Sequence, residues 1–135
     1  MERAAEPQKI RAFTWSTSAS WALALLVGAL VGSVTTVIHQ SSIAVIGIDI
    51  PWGLIVSLAT VAAFLLGLRL VRGERGSVVF GGLGVLVSVF LFSQRSIGGS
   101  VLVPDNIAGS IWAIAPTLIA TIIVAWPKLP DRQAK

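Results

Sequence analysis

Four apolar runs decide what this chain can become. Residues 21–38, 52–71, 77–94 and 107–126 each approach the ~20 residues that a helix needs to cross a hydrocarbon core of about 30 Å. Arg69 is the one charge inside them, near enough to a span end for its long side chain to reach the headgroups. Lipid offers no hydrogen bonds to the backbone, so a crossing segment must be a helix or a strand of a closed barrel. Continuous Leu, Val, Ile and Ala without a two-residue alternation exclude the barrel. The expected fold is therefore an all-α integral membrane protein, a four-transmembrane-helix bundle forming a single membrane domain over residues 1–135. Composition agrees: 12% of residues are charged, where a soluble domain carries about a quarter, and mean hydropathy is +0.87.

Charge sets the direction of the spans. Nine of the ten basic residues, Arg3, Lys9, Arg11, Arg69, Arg72, Arg75, Lys128, Arg132 and Lys135, fall on one side, and Arg95 alone falls on the other with Asp49 and Asp105. The positive-inside rule then places both termini in the cytoplasm. This division accounts for the net charge of +4, so the basic balance gives no support to a nucleic-acid partner. The bilayer, with its anionic inner leaflet, is the expected partner. The five tryptophans sit near the expected interfaces, Trp15, Trp21 and Trp126 inside, Trp52 and Trp112 outside, as depth anchors. The first span has the basic flank of a signal peptide, but its apolar run is long and no A-x-A-like site follows it, so it should stay uncleaved. With no cysteine, disulfides and thiolate metal sites are excluded.

The inner link, Arg72-Gly73-Glu74-Arg75-Gly76, is short and makes the second and third spans antiparallel neighbours. The outer links are apolar and β-branched, and each stops at a proline, Pro51 or Pro104, shortly before a helix. They should pack over the helix ends as two extended segments, in the form of a short two-stranded ribbon. Their likeness raises a two-hairpin repeat with an axis along the membrane normal, set against the ordinary preference of proline for helix starts.

Membrane helices approach closely only at small residues. The first span carries Ser20, Ala24, Gly28, Gly32 and Thr36 at a four-residue period, and the fourth carries Gly109, Ala113, Thr117, Thr121 and Ala125; shorter stripes are Ala59, Ala63 and Gly67, then Gly84 and Ser88. Gly28, Gly32, Gly109 and Ala113 are the expected packing positions. Pro116 should kink the fourth span, with Thr117 and Thr121 as partners for the freed backbone.

Candidate chemistry is confined to the outer lip. No ionisable group stands at depth to carry a proton, and there is no arginine ladder or acidic ring. The membrane carboxylate of small multidrug exporters and the polar motifs of small fluoride channels are both missing. What remains is an outer-face polar cluster of His39, Asp49, Arg95 and Asp105, beside Gln40, Ser41, Ser42 and Asn106. A His at a helix end is favoured as a cap by the helix dipole, and the alternative is an acid/base role if these groups converge. Asp105 and Asn106 are ready N-caps. No catalytic residue, cofactor or metal is expected.

The stretch Val37-Ile38-His39-Gln40, the segment Ile50-Pro51-Trp52-Gly53-Leu54, the run Gly99-Ser100-Val101-Leu102-Val103-Pro104 followed by Asn106, and the closing Trp126-Pro127 resemble a family of small four-span actinobacterial membrane proteins. The resemblance implies the four-span architecture and a plasma-membrane location, and hints that His39 and the two proline-ended loops belong together. The function expected is that of a non-enzymatic accessory or assembly subunit of a membrane complex, with a membrane-protein partner or a second copy of itself. The alternative is a small oligomeric transporter or flippase component, similar in size to four-span proteins associated with lipid-linked sugar translocation. In intact cells, single cysteines at Thr17, Gly73 and Gln133 should be protected from an impermeant thiol reagent while those at Ser42 and Ser100 are labelled; labelling at residue 73 would reverse the orientation.

Overall fold

The computed structural model describes residues 9–94 and 98–127, with side chains from residue 17 onward. Four helices are long and apolar enough to cross a membrane. They are α1 (Lys9–Ile38), α2 (Trp52–Arg72), α3 (Arg75–Ser93) and α4 (Ile107–Ala125), and a hairpin of β1 (Ile43–Val45) and β2 (Ile48–Ile50) joins α1 to α2. Helix boundaries fall within two residues of those read from the sequence, except that α1 begins at Lys9. Within it, residues Thr17–Ile38 are long and apolar enough to cross a membrane. The α2–α3 link closes through Gly73, whose left-handed φ of 65° lets its N–H return to the Arg69 carbonyl.

α3 is the central helix, packed on α1, α2 and α4, and α1 leans mainly on α3. Pairs along that seam rise together, Trp21 with Gly76, Gly28 with Gly81, Gly32 with Val85, Ser33 with Ser88, so the two helices are parallel. Glycines on both sides let the backbones meet. A Cβ on Gly28 would strike the Gly81 carbonyl oxygen, and one on Gly84 would strike that of Leu25. Ser88 Oγ donates to the Ala29 carbonyl at 2.8 Å across the seam, a bond of a kind worth ~0.6 kcal/mol between membrane helices. The stripe of α1 is thus consumed within the chain: Ala24, Gly28, Gly32 and Thr36 are all buried.

The fourth-span stripe behaves differently. The buried face of α4 is Gly109, Trp112, Pro116, Ala120 and Ile123. Ala113, Thr117, Thr121 and Ala125 point away from the bundle and are exposed, so Ala113 is not an internal packing position. Gly109 is buried for a local reason, since a Cβ there would strike the Pro104 carbonyl where the preceding loop folds over the helix start. On α2, Ala59 and Ala63 also face outward, while Leu54, Val61 and Leu65 join Val78, Val85 and Val89 of α3 and Trp112 of α4 in the core. Bulky side chains fill the wide gaps, and small ones line the long seam where α1 meets α3. α4 continues through Pro116, and the Thr121 hydroxyl donates to the Thr117 carbonyl at 2.8 Å, not to the carbonyl of Trp112 that the proline leaves free.

The end holding the α2–α3 turn is tied by polar contacts. Glu74 Oε1 accepts from Trp21 Nε1 at 3.2 Å and from Ser77 Oγ at 2.8 Å, and lies 3.7 Å from the Arg72 guanidinium. Arg72 also donates to Ser20 Oγ at 2.7 Å, and Trp21 stacks on Phe80. Arg69 donates to the Trp126 carbonyl at 2.9 Å, so its guanidinium ties α2 to the end of α4.

The two loops at the end opposite the α2–α3 turn are built differently. Residues 43–50 form the hairpin, and its large side chains are exposed instead of covering the helix ends. Residues 98–106 contain turns and no strand. Pro51 directly precedes α2, whereas Asn106 caps α4 two residues after Pro104. Replacing Gly28 or Gly84 by Leu should lower stability in detergent by on the order of 1–3 kcal/mol or block folding, because backbone faces the new side chain. The exposed control Leu26→Ile should leave the thermal unfolding midpoint unchanged, and equal midpoints for all three variants would show that the seam is not close-packed.

Candidate functional site

The end of α1 farthest from the α2–α3 turn carries the densest polar network. In the last turn of α1, Thr36 sends its hydroxyl proton back to the Gly32 carbonyl at 2.6 Å and accepts from the indole N–H of Trp112 at 3.2 Å. His39 is fully buried and its ring stacks on Trp112 with centroids 5.3 Å apart. Its Nδ1 meets the Thr36 carbonyl, which can only accept, so Nδ1 carries the proton. Nε2 of the neutral ring is then an acceptor, and Gln40 Nε2 donates to it at 2.9 Å.

From Gln40 the network passes to the start of α4. Gln40 and Asn106 exchange amide hydrogen bonds of 3.2 and 3.4 Å, and Asn106 Oδ1 caps the helix by accepting from Gly109 N at 2.7 Å. On the other flank, Ser57 of α2 donates to the Thr35 carbonyl at 3.0 Å, and the Gly53 N–H donates to the Ser41 carbonyl at 3.0 Å. Gly53 has no room for a Cβ against the Ile38 carbonyl. The entry of α2 and the entry of α4 are both fastened to the last turn of α1.

Of the cluster proposed from sequence, His39 belongs to this network together with its neighbours Gln40, Ser41 and Asn106, whereas among the described residues no hydrogen bond joins Asp49 or Asp105 to it. Asp49 is exposed on β2 opposite Ala44, and Asp105 is exposed just before α4. Arg95 lies outside the described residues. Among the described residues the one ion pair is Arg72–Glu74, at the other end of the bundle. No group of three or more metal-ligating side chains occurs among them. The His39 ring serves as a cap on a last-turn carbonyl, and both of its nitrogens are engaged.

Sequence reading missed Thr36 and Trp112 as members. Trp112 was assigned to the outer aromatic belt, but it is fully buried. The available signal was its phase: it shares a helical face with Gly109, Pro116 and Ala120, not with the exposed Ile111 and Ile114. Trp52 and Trp126 are exposed at helix ends, as a belt requires. Comparison of the chain with protein-family models, with curated proteins and with solved structures finds no match.

Burial pushes the His39 imidazole below its ordinary 6.5, with the Thr36 carbonyl pulling partly the other way. A proton on Nε2 would face the Gln40 N–H, and turning that amide would break its exchange with Asn106. Above pH 6.5 both folded and unfolded chains hold a neutral ring. Below it the unfolded chain binds the proton first, so stability falls with pH down to the folded value. The thermal midpoint in detergent should therefore drop between pH 7 and pH 5, and His39→Phe should flatten that dependence; an equal drop in the variant would assign it to another group.

Proposed function

We propose that this chain is a non-enzymatic multi-pass protein of the plasma membrane, with both termini cytoplasmic, acting as an accessory or assembly subunit of a larger membrane complex. The observation that carries the reading is the outward face of α4. Ala113, Thr117, Thr121 and Ala125 form a small-residue stripe at the spacing that lets helices approach, and the bundle does not use it. An open apolar groove lined by Ser110, Ile111, Ile114, Ala115 and Leu118 runs beside it. Lipid gains nothing from small side chains, but a neighbouring helix does. The equivalent stripe on α1 illustrates the use, since there α3 lies against it.

The occupant best suited to this face is a transmembrane helix of another protein. A non-catalytic role is supported by the commitment of His39 on both nitrogens and by the separation of Asp49 and Asp105 from it. The orientation rests on the division of Lys and Arg described above. The transporter alternative rests on the possible two-hairpin repeat and the Pro116 kink; the two outer loops have different structures here, and α4 continues as a helix through Pro116. Affinity purification in mild detergent from the native membrane should recover a stoichiometric membrane protein with the wild type. Ala113→Leu combined with Thr117→Leu should lose that partner while leaving the thermal midpoint of the isolated protein unchanged. Retention of the partner by the double variant, or recovery of the chain alone or as a homo-oligomer, would remove this reading.

A further inference from the structure

The β1–β2 hairpin has a polarity that neither the bundle nor the proposed partner face explains. Directly opposed residues of an antiparallel pair share a face, and the register pairs Ile43 with Ile50, Ala44 with Asp49 and Val45 with Ile48. One face is therefore Ile43, Val45, Ile48 and Ile50, and the other is Ala44 and Asp49. The ribbon is amphipathic, yet its apolar face is not packed on the protein: those four side chains are 41–69% exposed. At the tip, Ile46 is 97% exposed and Gly47 follows it, both at positive φ, 53° and 79°. A β-branched residue is disfavoured in that conformation, where Asn is usual, so the aliphatic tip stands against the backbone preference.

We propose that this hairpin is an interfacial anchor, its Ile43–Val45–Ile48–Ile50 face and Ile46 tip lying against the lipid of the leaflet at its end of the bundle, with Asp49 toward water. Three observations select lipid as the occupant. The strands start five residues after α1 ends and stop two residues before α2 begins, so the ribbon stands at the level of the helix ends, beside Trp52, which is exposed there. The two helices it joins also expose apolar side chains in the turns next to it, Val34 and Val37 of α1 and Ile55 and Val56 of α2. Four partly exposed aliphatic side chains also fall well short of the ~800 Å² per partner that a stable protein interface buries, whereas an interfacial segment needs only one apolar face and no pocket. An isolated two-stranded hairpin is marginal in water, and the lipid boundary supplies the missing layer.

The chain contains no cysteine, so single sites report cleanly. Ile46→Cys, Ile48→Cys and Ala44→Cys, each carrying a polarity-sensitive fluorophore and reconstituted in phosphatidylcholine vesicles, would be quenched in turn by phosphatidylcholine spin-labelled near the carbonyl and by aqueous iodide. Residues 46 and 48 should be quenched by the lipid label roughly twofold or more above residue 44, as an element lying in the interface requires, and residue 44 should be the one iodide reaches. Equal access of iodide to all three sites would overturn the proposal by placing the ribbon in water. Protection of 46 and 48 from both quenchers would overturn it by showing a protein covering. Matching thermal midpoints of the labelled variants and the wild type separate either result from misfolding, and neither depends on the identity of a partner subunit.

Discussion

The approach of α1 to α3 is the constraint on which the rest of the bundle depends. Lipid solvates apolar side chains as well as a neighbouring helix does, so association must come from backbone proximity, dispersion and a few hydrogen bonds. Gly28 and Gly32 of α1 and Gly84 of α3 supply that proximity, with carbonyl oxygens of the facing helix occupying the space a Cβ would take. Once the two parallel helices are locked, α2 and α4 can use larger residues, Leu54, Val61, Leu65, Trp112 and Ile123, to fill what remains.

The two ends of the bundle are closed by different chemistry. At the end bearing the α2–α3 turn, Glu74 gathers Trp21, Ser77 and Arg72, and Arg69 holds the end of α4 through the Trp126 carbonyl. At the opposite end the closure is uncharged, running from Thr36 and Trp112 through His39 and Gln40 to Asn106. A neutral chain of donors and acceptors suits a buried position near lipid, where an unpaired charge is costly. It also fixes the tautomer of His39 through the Thr36 carbonyl and removes both ring nitrogens from other work.

A division follows between surfaces the fold uses and surfaces it leaves open. The small-residue face of α1 is filled by α3, while that of α4 is free. The hairpin likewise presents an apolar face that no helix covers. Both open features lie outside the core, so substitutions there separate association from stability.

The sequence by itself determined the number and class of the helices and the length of all but α1, because hydrocarbon thickness and the need to pair every backbone group leave little choice for four such apolar runs. It also made legible the α1 stripe, the α2–α3 turn at Gly73, and the capping roles of His39 and Asn106, all of which depend on residues a few positions apart. Tertiary structure alone decided which small-residue stripe is buried. Gly28 and Ala113 look alike in spacing, yet only the first meets another helix, since rotation of a helix about its axis is set by its neighbours. It alone left Asp49 and Asp105 exposed while burying His39, and it turned Trp112 inward to bridge α1 and α4 across 76 positions of sequence. Such pairings depend on the register of helices distant in sequence, which periodicity within any single span does not encode.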